Sequence, residues 1–314
     1  MSEHAPLVSV ILDNYNYADY LPEAIESVLQ QTYPHFELIV VDDGSTDASR
    51  DVINTYAERD HRIRPVFKLN GGQASAFNAG YAASNGDIIC FLDSDDLFMP
   101  NKLAKLVECH EAGNSFVHTD HQSIDTQGSP CTDTIKRYRY DGYNLFLVYY
   151  LSKYPGNVTS TLSLTRALAE KIFPLPHEQD WRIQADDAIV FQAAMMTRST
   201  FFDQKLTRYR IHHANGHYGK KNSHDYLYEL LKKRNTLKDI AMQKISTGRT
   251  FLGNSYNLAW EFSTHRTIDL NLVQLYMKVL WFEMEQPFLK KMETSLSLWN
   301  FYRKQTMVKR AKNT

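Results

Sequence analysis

Short apolar runs and helical apolar stripes alternate along the first 112 residues. Residues 7–12, 36–41 and 88–92 are nearly unbroken apolar runs, the pattern of strands buried on both faces. Residues 63–67 supply a further strand. Between these runs, apolar side chains recur three and four apart, the spacing of amphipathic helices. Leu21, Ala24, Ile25, Val28 and Leu29 follow it around Pro22, and Val52, Ile53, Tyr56 and Ala57 form a second such face. A third helix is expected over 73–84, after the turn Asn70-Gly71-Gly72. A fourth, after Pro100, carries Leu103, Leu106 and Val107. Ser45 or Thr46 is expected to cap the second helix, and Gly113 to end the fourth. The order βαβαβαβα predicts a parallel sheet covered by helices on both faces.

Beyond residue 114 the alternation loosens. Residues 115–119 suggest another strand, and 124–143, polar with Gly128 and Pro130, a turn or hairpin. The apolar, aromatic stretch 143–151 is too short to span a bilayer and is expected as a core or lid helix. A strand lined with hydroxyls is expected over 156–162. Residues 180–187 lead into an apolar helix over 188–196. A last strand, 206–211, precedes His212, His213 and His217. From about residue 225 the pattern is helical. Val273, Met277, Leu280 and Met284 form one stripe, and Leu289, Met292, Leu296 and Trp299 another beyond Pro287. No acidic residue follows Glu293, whereas Arg303, Lys304, Lys309, Arg310 and Lys312 cluster at the end. Two expectations follow for these helices. They pack on the body with a solvated basic tail, or they form an amphipathic surface for anionic lipid or a partner subunit.

A formal net charge of −1 over 314 residues exerts no overall pull toward nucleic acid. Cys90, Cys109 and Cys131 show no CxxC spacing and cannot all pair, which fits a reducing compartment. The N-terminus lacks the order of a signal peptide, and no apolar run spans a bilayer. The expected location is cytoplasmic, with the C-terminal helices as a candidate peripheral contact at the inner face of the membrane.

The acids fall in one pattern. Asp13, Asp43 and the cluster Asp93, Asp95 and Asp96 all follow apolar runs, so they share the carboxyl-end rim where open α/β sheets bind ligands. Like charges this close need a compensating cation, and a hard divalent ion that also holds phosphates is the usual one. The plainer alternative is a helix cap with two solvated loop acids. GxGxxG and GxxxxGK[ST] are both missing, which argues against a dinucleotide cofactor and a P-loop. Gly71-Gly72 reads equally as a tight turn or a phosphate contact.

Several stretches together resemble the family 2 glycosyltransferases. They are Val8-Ser9-Val10-Ile11 with Asn14-Tyr15-Asn16, residues 23–33, residues 36–47 with Asp42-Asp43-Gly44-Ser45, Ala79-Gly80-Tyr81, and residues 86–96. The likeness is close over 6–112 and looser to 215. It implies a GT-A fold, Rossmann-like with a mostly parallel sheet flanked by helices, plus a C-terminal helical extension. It also implies a nucleotide-sugar donor, Mn²⁺ or Mg²⁺, inversion at the anomeric carbon, and a glycan or lipid-linked acceptor. Residues 1–220 would form the glycosyltransferase domain, with 1–112 holding the donor and 113–220 the acceptor. Residues 221–314 would be the extension, a candidate oligomer or membrane contact.

By the same resemblance, Asp43 meets the uracil or ribose, and Asp13 with Tyr15 forms the other wall of the nucleotide pocket. Gly72, Asp93 and Ser94 lie along the donor. Asp95 is a metal ligand, with Asp96 as second choice. Asp186-Asp187 stands where the family has Glu-Asp, which makes Asp187 the catalytic base. Tyr209-Arg210-Ile211-His212 resembles a YRxH element, with His212 on the metal or diphosphate. A HAD-like phosphohydrolase would need DxDx[TV] after the first strand, and Asp13-Asn14-Tyr15 lacks it. A non-catalytic nucleotide-sugar-binding module remains the alternative, and a transition-metal site at His212, His213 and His217 is disfavoured by the lack of a nearby Cys.

Overall fold

The computed structural model describes residues 5–135, 139–212, 223–245 and 248–312. β1 (Val8–Asn14), β2 (Phe36–Asp42), β3 (Ile63–Phe67) and β4 (Ile88–Asp93) are parallel, in the order β3-β2-β1-β4. Their apolar runs are continuous because both faces are covered. Successive side chains point to opposite faces, so Ile88, Cys90 and Leu92 enter one core while Ile89 and Phe91 enter another. The connecting helices are α1 (Leu21–Leu29), α2 (Ser49–Arg59), α3 (Gln73–Ala83) and α4 (Lys102–Glu111). The first, second and fourth close the core around Cys90, and α3 covers the other face. Gly113 follows α4 at φ +89, the left-handed conformation that glycine adopts without strain.

The cap of α2 differs from expectation. Ser45 is tied into the turn after β2, where its N–H donates to Asp42 and its Oγ accepts from Asn14. Thr46 donates to Asn16. The Ser49 N–H is instead taken by Asp47 at 3.0 Å. The two hydroxyl residues hold the β1 and β2 loops together, which leaves the first N–H of α2 to Asp47, one residue before the cap position Ala48.

β5 (Leu97–Phe98), β6 (Phe116–Ile124), β7 (Leu162–Thr165) and β8 (Ser199–Arg210) extend the sheet to β3-β2-β1-β4-β7-β6-β8-β5. β7 is antiparallel to both β4 and β6, and β6 is parallel to β8, so the sheet is mixed beyond β4. The strand expected over 156–162 is instead a 3₁₀ turn, Thr159–Thr161, leading into β7. The hydroxyls explain the difference. Ser160 Oγ accepts from the Asp93 N–H, and Thr161 Oγ1 donates back to Val158. The first bond ties the turn to β4 and the second, a local one, competes with a strand ladder.

The remaining helices are α5 (Leu145–Leu151), α6 (Arg166–Ile172), α7 (Ala185–Met196), α8 (His224–Lys244), α9 (Gly248–Leu252), α10 (Ser255–Ser263), α11 (Leu270–Lys278) and α12 (Phe288–Lys312). α5 is a core helix, with Leu145 to Val148 all buried. One apolar cluster runs from Ile11 and Phe91 through Phe146 and Phe191 to Leu237, Phe262, Tyr276 and Leu298. The C-terminal helices therefore share the core beneath the sheet. Among the described residues, no helix is long and apolar enough to cross a membrane.

Candidate active site

Parallel pairing sets Asp13 of β1 directly beside Asp93 of β4, so two carboxylates meet because their strands end in register. Asp95 and Asp96 follow in the tight turn after β4, where the Asp96 N–H donates to the Asp93 carbonyl. The Asp93, Asp95 and Asp96 carboxylates each bring one oxygen within 4.8 Å of the others. Burial pushes the Asp13 carboxyl up to about 7, and Asp95 adds to the rise. Burial, then the charge of Asp13, raises Asp93 well above the usual carboxylate range. Burial, then Asp95, does the same to Asp96.

This crowded, oxygen-only donor set fits a hard divalent cation such as Mg²⁺ or Mn²⁺. Asp96 Oδ2 is buried and makes no hydrogen bond of sound geometry. Arg210, itself buried, braces the turn from below: its N–H donates to Asp96 at 2.8 Å and its Nε to the Asp95 carbonyl at 2.9 Å. His212 Nε2 lies 2.8 Å from Asp95 Oδ2, and its ring stacks on Tyr20. His213 and His217 lie outside the described residues.

The opposite wall is the N-terminus of α7, whose first turn carries Asp186 and Asp187. Adjacent helical residues point about 100° apart, and the two acids part accordingly. Asp186 faces the cleft and accepts a hydrogen bond from the Tyr154 hydroxyl at 2.5 Å. Burial, then the charge of Asp187, raises its carboxyl to about 6, against the opposing pull of Tyr154 and Arg234. Asp187 turns away and is 2% exposed. Arg234 of α8 grips it at two points, Nε to Oδ2 at 2.7 Å and Nη2 to Oδ1 at 3.1 Å. The same guanidinium lies over the Phe191 ring at 5.3 Å.

Between these walls lies a cleft of about 460 Å³, within the range of small-molecule sites. Asp13, Tyr15, Tyr17, Asp43, Gln73, Asp93, Ser94 and Asp95 line one side, with Arg182, Ile183, Gln184 and Asp186 facing them. The structure thus brings Asp13, Tyr15, Asp43, Asp93, Ser94 and Asp95 together. It places Asp187, Gly72, Asp96 and His212 off the cleft surface. Asp187 is claimed by Arg234. Gly72, at φ +88, lies beneath Arg182, where an added Cβ would come within 2.5 Å of the Arg182 Cα. Its N–H and that of Gly71 donate to Asp43, so this glycine pair positions an acid.

Three contributors escape a reading of the sequence. Gln73 joins the two walls, donating to Asp93 at 3.0 Å and accepting from the Ala185 N–H at 3.0 Å. Tyr154 and Arg234 hold the two acids of α7 from elements 32 and 47 residues away. No local pattern marks these partners. The only signal for Gln73 is its place directly after Gly71-Gly72.

The architecture recurs in solved structures. That of TarS from S. aureus in complex with UDP-GlcNAc superposes with a TM-score of 0.56 at 19% identity, covering 95% of this chain and 92% of that one. The shared fold is GT-A-like. The family model for Glycosyl transferase family 2 matches residues 9–173. An uncharacterized glycosyltransferase, alr2836 of Nostoc sp., is 38% identical over 67% of this chain and 66% of its own length. TuaG of Bacillus subtilis, named for teichuronic acid biosynthesis, is 40% identical over 41% of this chain and 52% of its own. The matches thus span from half to two thirds of those relatives. The chain belongs to glycosyl transferase family 2.

Proposed function

We propose that the protein is an inverting glycosyltransferase that moves a sugar from a UDP-sugar to an acceptor hydroxyl. The observation that carries this is Asp186, a buried carboxyl on the wall opposite the acid rim, raised to about 6 and hydrogen-bonded to Tyr154. A base with a pKa near the working pH transfers protons efficiently. The base is therefore Asp186, and Asp187, expected from the motif, is a positioning residue held by Arg234.

In this reading Asp43, Asp13 and Tyr15, which line the cleft, meet the nucleoside. Asp93, Asp95 and Asp96 would hold Mn²⁺ or Mg²⁺, with His212 steadying Asp95. Bound there, such an ion would supply Lewis-acid neutralisation of the departing diphosphate. Asp186 takes the acceptor hydroxyl's proton as the acceptor oxygen bonds to the anomeric carbon and the carbon–phosphate-oxygen bond breaks. Inverting glycoside chemistry uses a carboxylate base in the same way. Residues 1–220 form the catalytic unit in this reading, and α8 of the extension braces it. A glycan or lipid-linked acceptor in surface polysaccharide assembly is supported by the teichuronic acid name of TuaG.

A thermal-shift panel of nucleotide sugars with Mn²⁺ or Mg²⁺, followed by product analysis, tests the proposal. A UDP-sugar should raise the melting temperature with metal, since a ligand that binds only the folded state stabilises it. EDTA should remove the rise and the turnover. No response to any nucleotide sugar would overturn the reading, and binding without transfer to any acceptor would leave only a binding module.

A further inference from the structure

α12 has apolar side chains on two faces but is covered on only one. The face against the body carries Thr294, Ser295 and Leu298, with Phe301 and Tyr302 half-buried. The solvent face carries Leu289, Met292, Leu296 and Trp299, which are 77%, 43%, 62% and 41% exposed. A helix that is apolar all round is normally buried all round. Here Thr294 and Ser295 are inside with Leu298, while Leu289, Met292, Leu296 and Trp299 are outside. The exposed Met307 continues the outer row, and from Leu289 the row runs about 27 Å at 1.5 Å per residue. An exposed apolar row of this extent marks an interaction surface.

We propose that this face docks the protein on an anionic lipid surface. The charges beside the row select the partner. Lys290, Arg303 and Lys304 are exposed along the helix, and Lys291 is half-buried against Trp281. Beyond Glu293 the sequence has no acid. A second copy of the chain fits poorly. In a parallel pair Arg303 and Lys304 meet their own counterparts. In an antiparallel pair they meet Lys290 and Lys291. A two-fold interface must complement itself; the parallel arrangement sets like charges together, and the antiparallel one offers the single acid Glu293, already paired with Lys290 at 3.5 Å, to four basic side chains. Anionic headgroups instead complement the lysines and arginines while the apolar row enters the acyl boundary. Long basic side chains reach the headgroups from beside such a row.

Lipid binding needs no donor, so it is independent of the transfer reaction. Flotation of the full chain is measured with vesicles of phosphatidylcholine alone and of phosphatidylcholine mixed with phosphatidylglycerol. Binding is expected only to the mixed vesicles and should weaken with added salt. Leu289→Ser with Leu296→Ser should abolish it. Arg303→Gln with Lys304→Gln should weaken it by roughly twenty-five-fold, at about fivefold per basic residue near the surface. All four positions are exposed, so circular dichroism and the melting temperature should stay at wild-type values. Failure to bind the mixed vesicles, or equal binding to both kinds, would overturn the proposal. So would light scattering that shows a wild-type dimer dissociated by the leucine substitutions.

Discussion

The sheet rim and the α7–α8 interface both bury carboxylates, and they treat them in opposite ways. At the rim, burial raises Asp13, Asp93 and Asp96, and the charge of Asp95 adds to the rise of each. Between α7 and α8, Asp187 is just as deep but lies in a two-point pair with Arg234. A buried charge that is paired and hydrogen-bonded is structural. Buried acids crowded without enough positive charge invite a cation or a proton, and such perturbed groups gather at functional sites. Asp186 sits next to the paired acid in sequence yet belongs with the rim, since it faces the cleft and the Tyr154 hydroxyl that donates to it is neutral.

The sharpest break in this comparison is between the two neighbours on α7. Asp186→Asn should lower kcat by ~10²–10⁴, the usual worth of proton transfer by a side chain, while the donor-induced rise in melting temperature persists. Asp187→Asn should keep most of its turnover and lose stability. A dead Asp187→Asn enzyme beside a live Asp186→Asn enzyme would reverse the roles assigned to the pair.

Next comes the brace itself. Arg234→Ala leaves the Asp187 carboxylate buried without its partner. Breaking a buried pair costs about 3–5 kcal/mol, and the partial exposure of Arg234 places this one near about 3 kcal/mol. Denaturant unfolding measures it. Adding Asp187→Asn to Arg234→Ala should recover part of the loss, because the stranded charge is then gone. Losses that simply add would show that the pair is not a coupled unit.

The smallest effect is on stability against pH. Burial raises Asp13 and Glu261 to about 7 and lifts Asp93 and Asp96 well above the usual carboxylate range, so as pH falls from about 8 the folded state comes to hold more protons than the unfolded state. Stability should therefore rise as pH falls from there. Lys102, which burial lowers to about 7, opposes this in part. Below about pH 6.5 the rise is largely offset, because burial holds His110, His118 and His265 near 4 while their unfolded counterparts take up protons. In EDTA the melting temperature should climb as pH falls from about 8 and level off below about 6.5. Mg²⁺ or Mn²⁺ should flatten the alkaline side by neutralising the rim acids. A metal-insensitive profile would separate the acid cluster from any cation role.

Most of the first half of the fold was legible in the sequence, and so was the rim. A strand buried on both faces must be apolar throughout, so residues 36–41 and 88–92 announce themselves. Acids that follow such runs must sit at the strands' carboxyl ends, which placed Asp13, Asp43, Asp93 and Asp95 on one rim without any knowledge of the sheet order. These are local facts, since consecutive residues share one backbone. What local pattern could not decide was direction and partnership. Asp186 and Asp187 are chemically identical and adjacent. Only the rotation of α7, locked by Arg234 from one side and Tyr154 from the other, turned the first toward the cleft. The hydroxyls of 159–161 look like a strand face until Asp93 is there to donate to Ser160. The row from Leu289 to Trp299 has helical spacing wherever it points, and packing through Thr294, Ser295 and Leu298 left it facing outward. Spacing along a chain determines which side chains share a face. Contacts between segments far apart in sequence determine what that face meets.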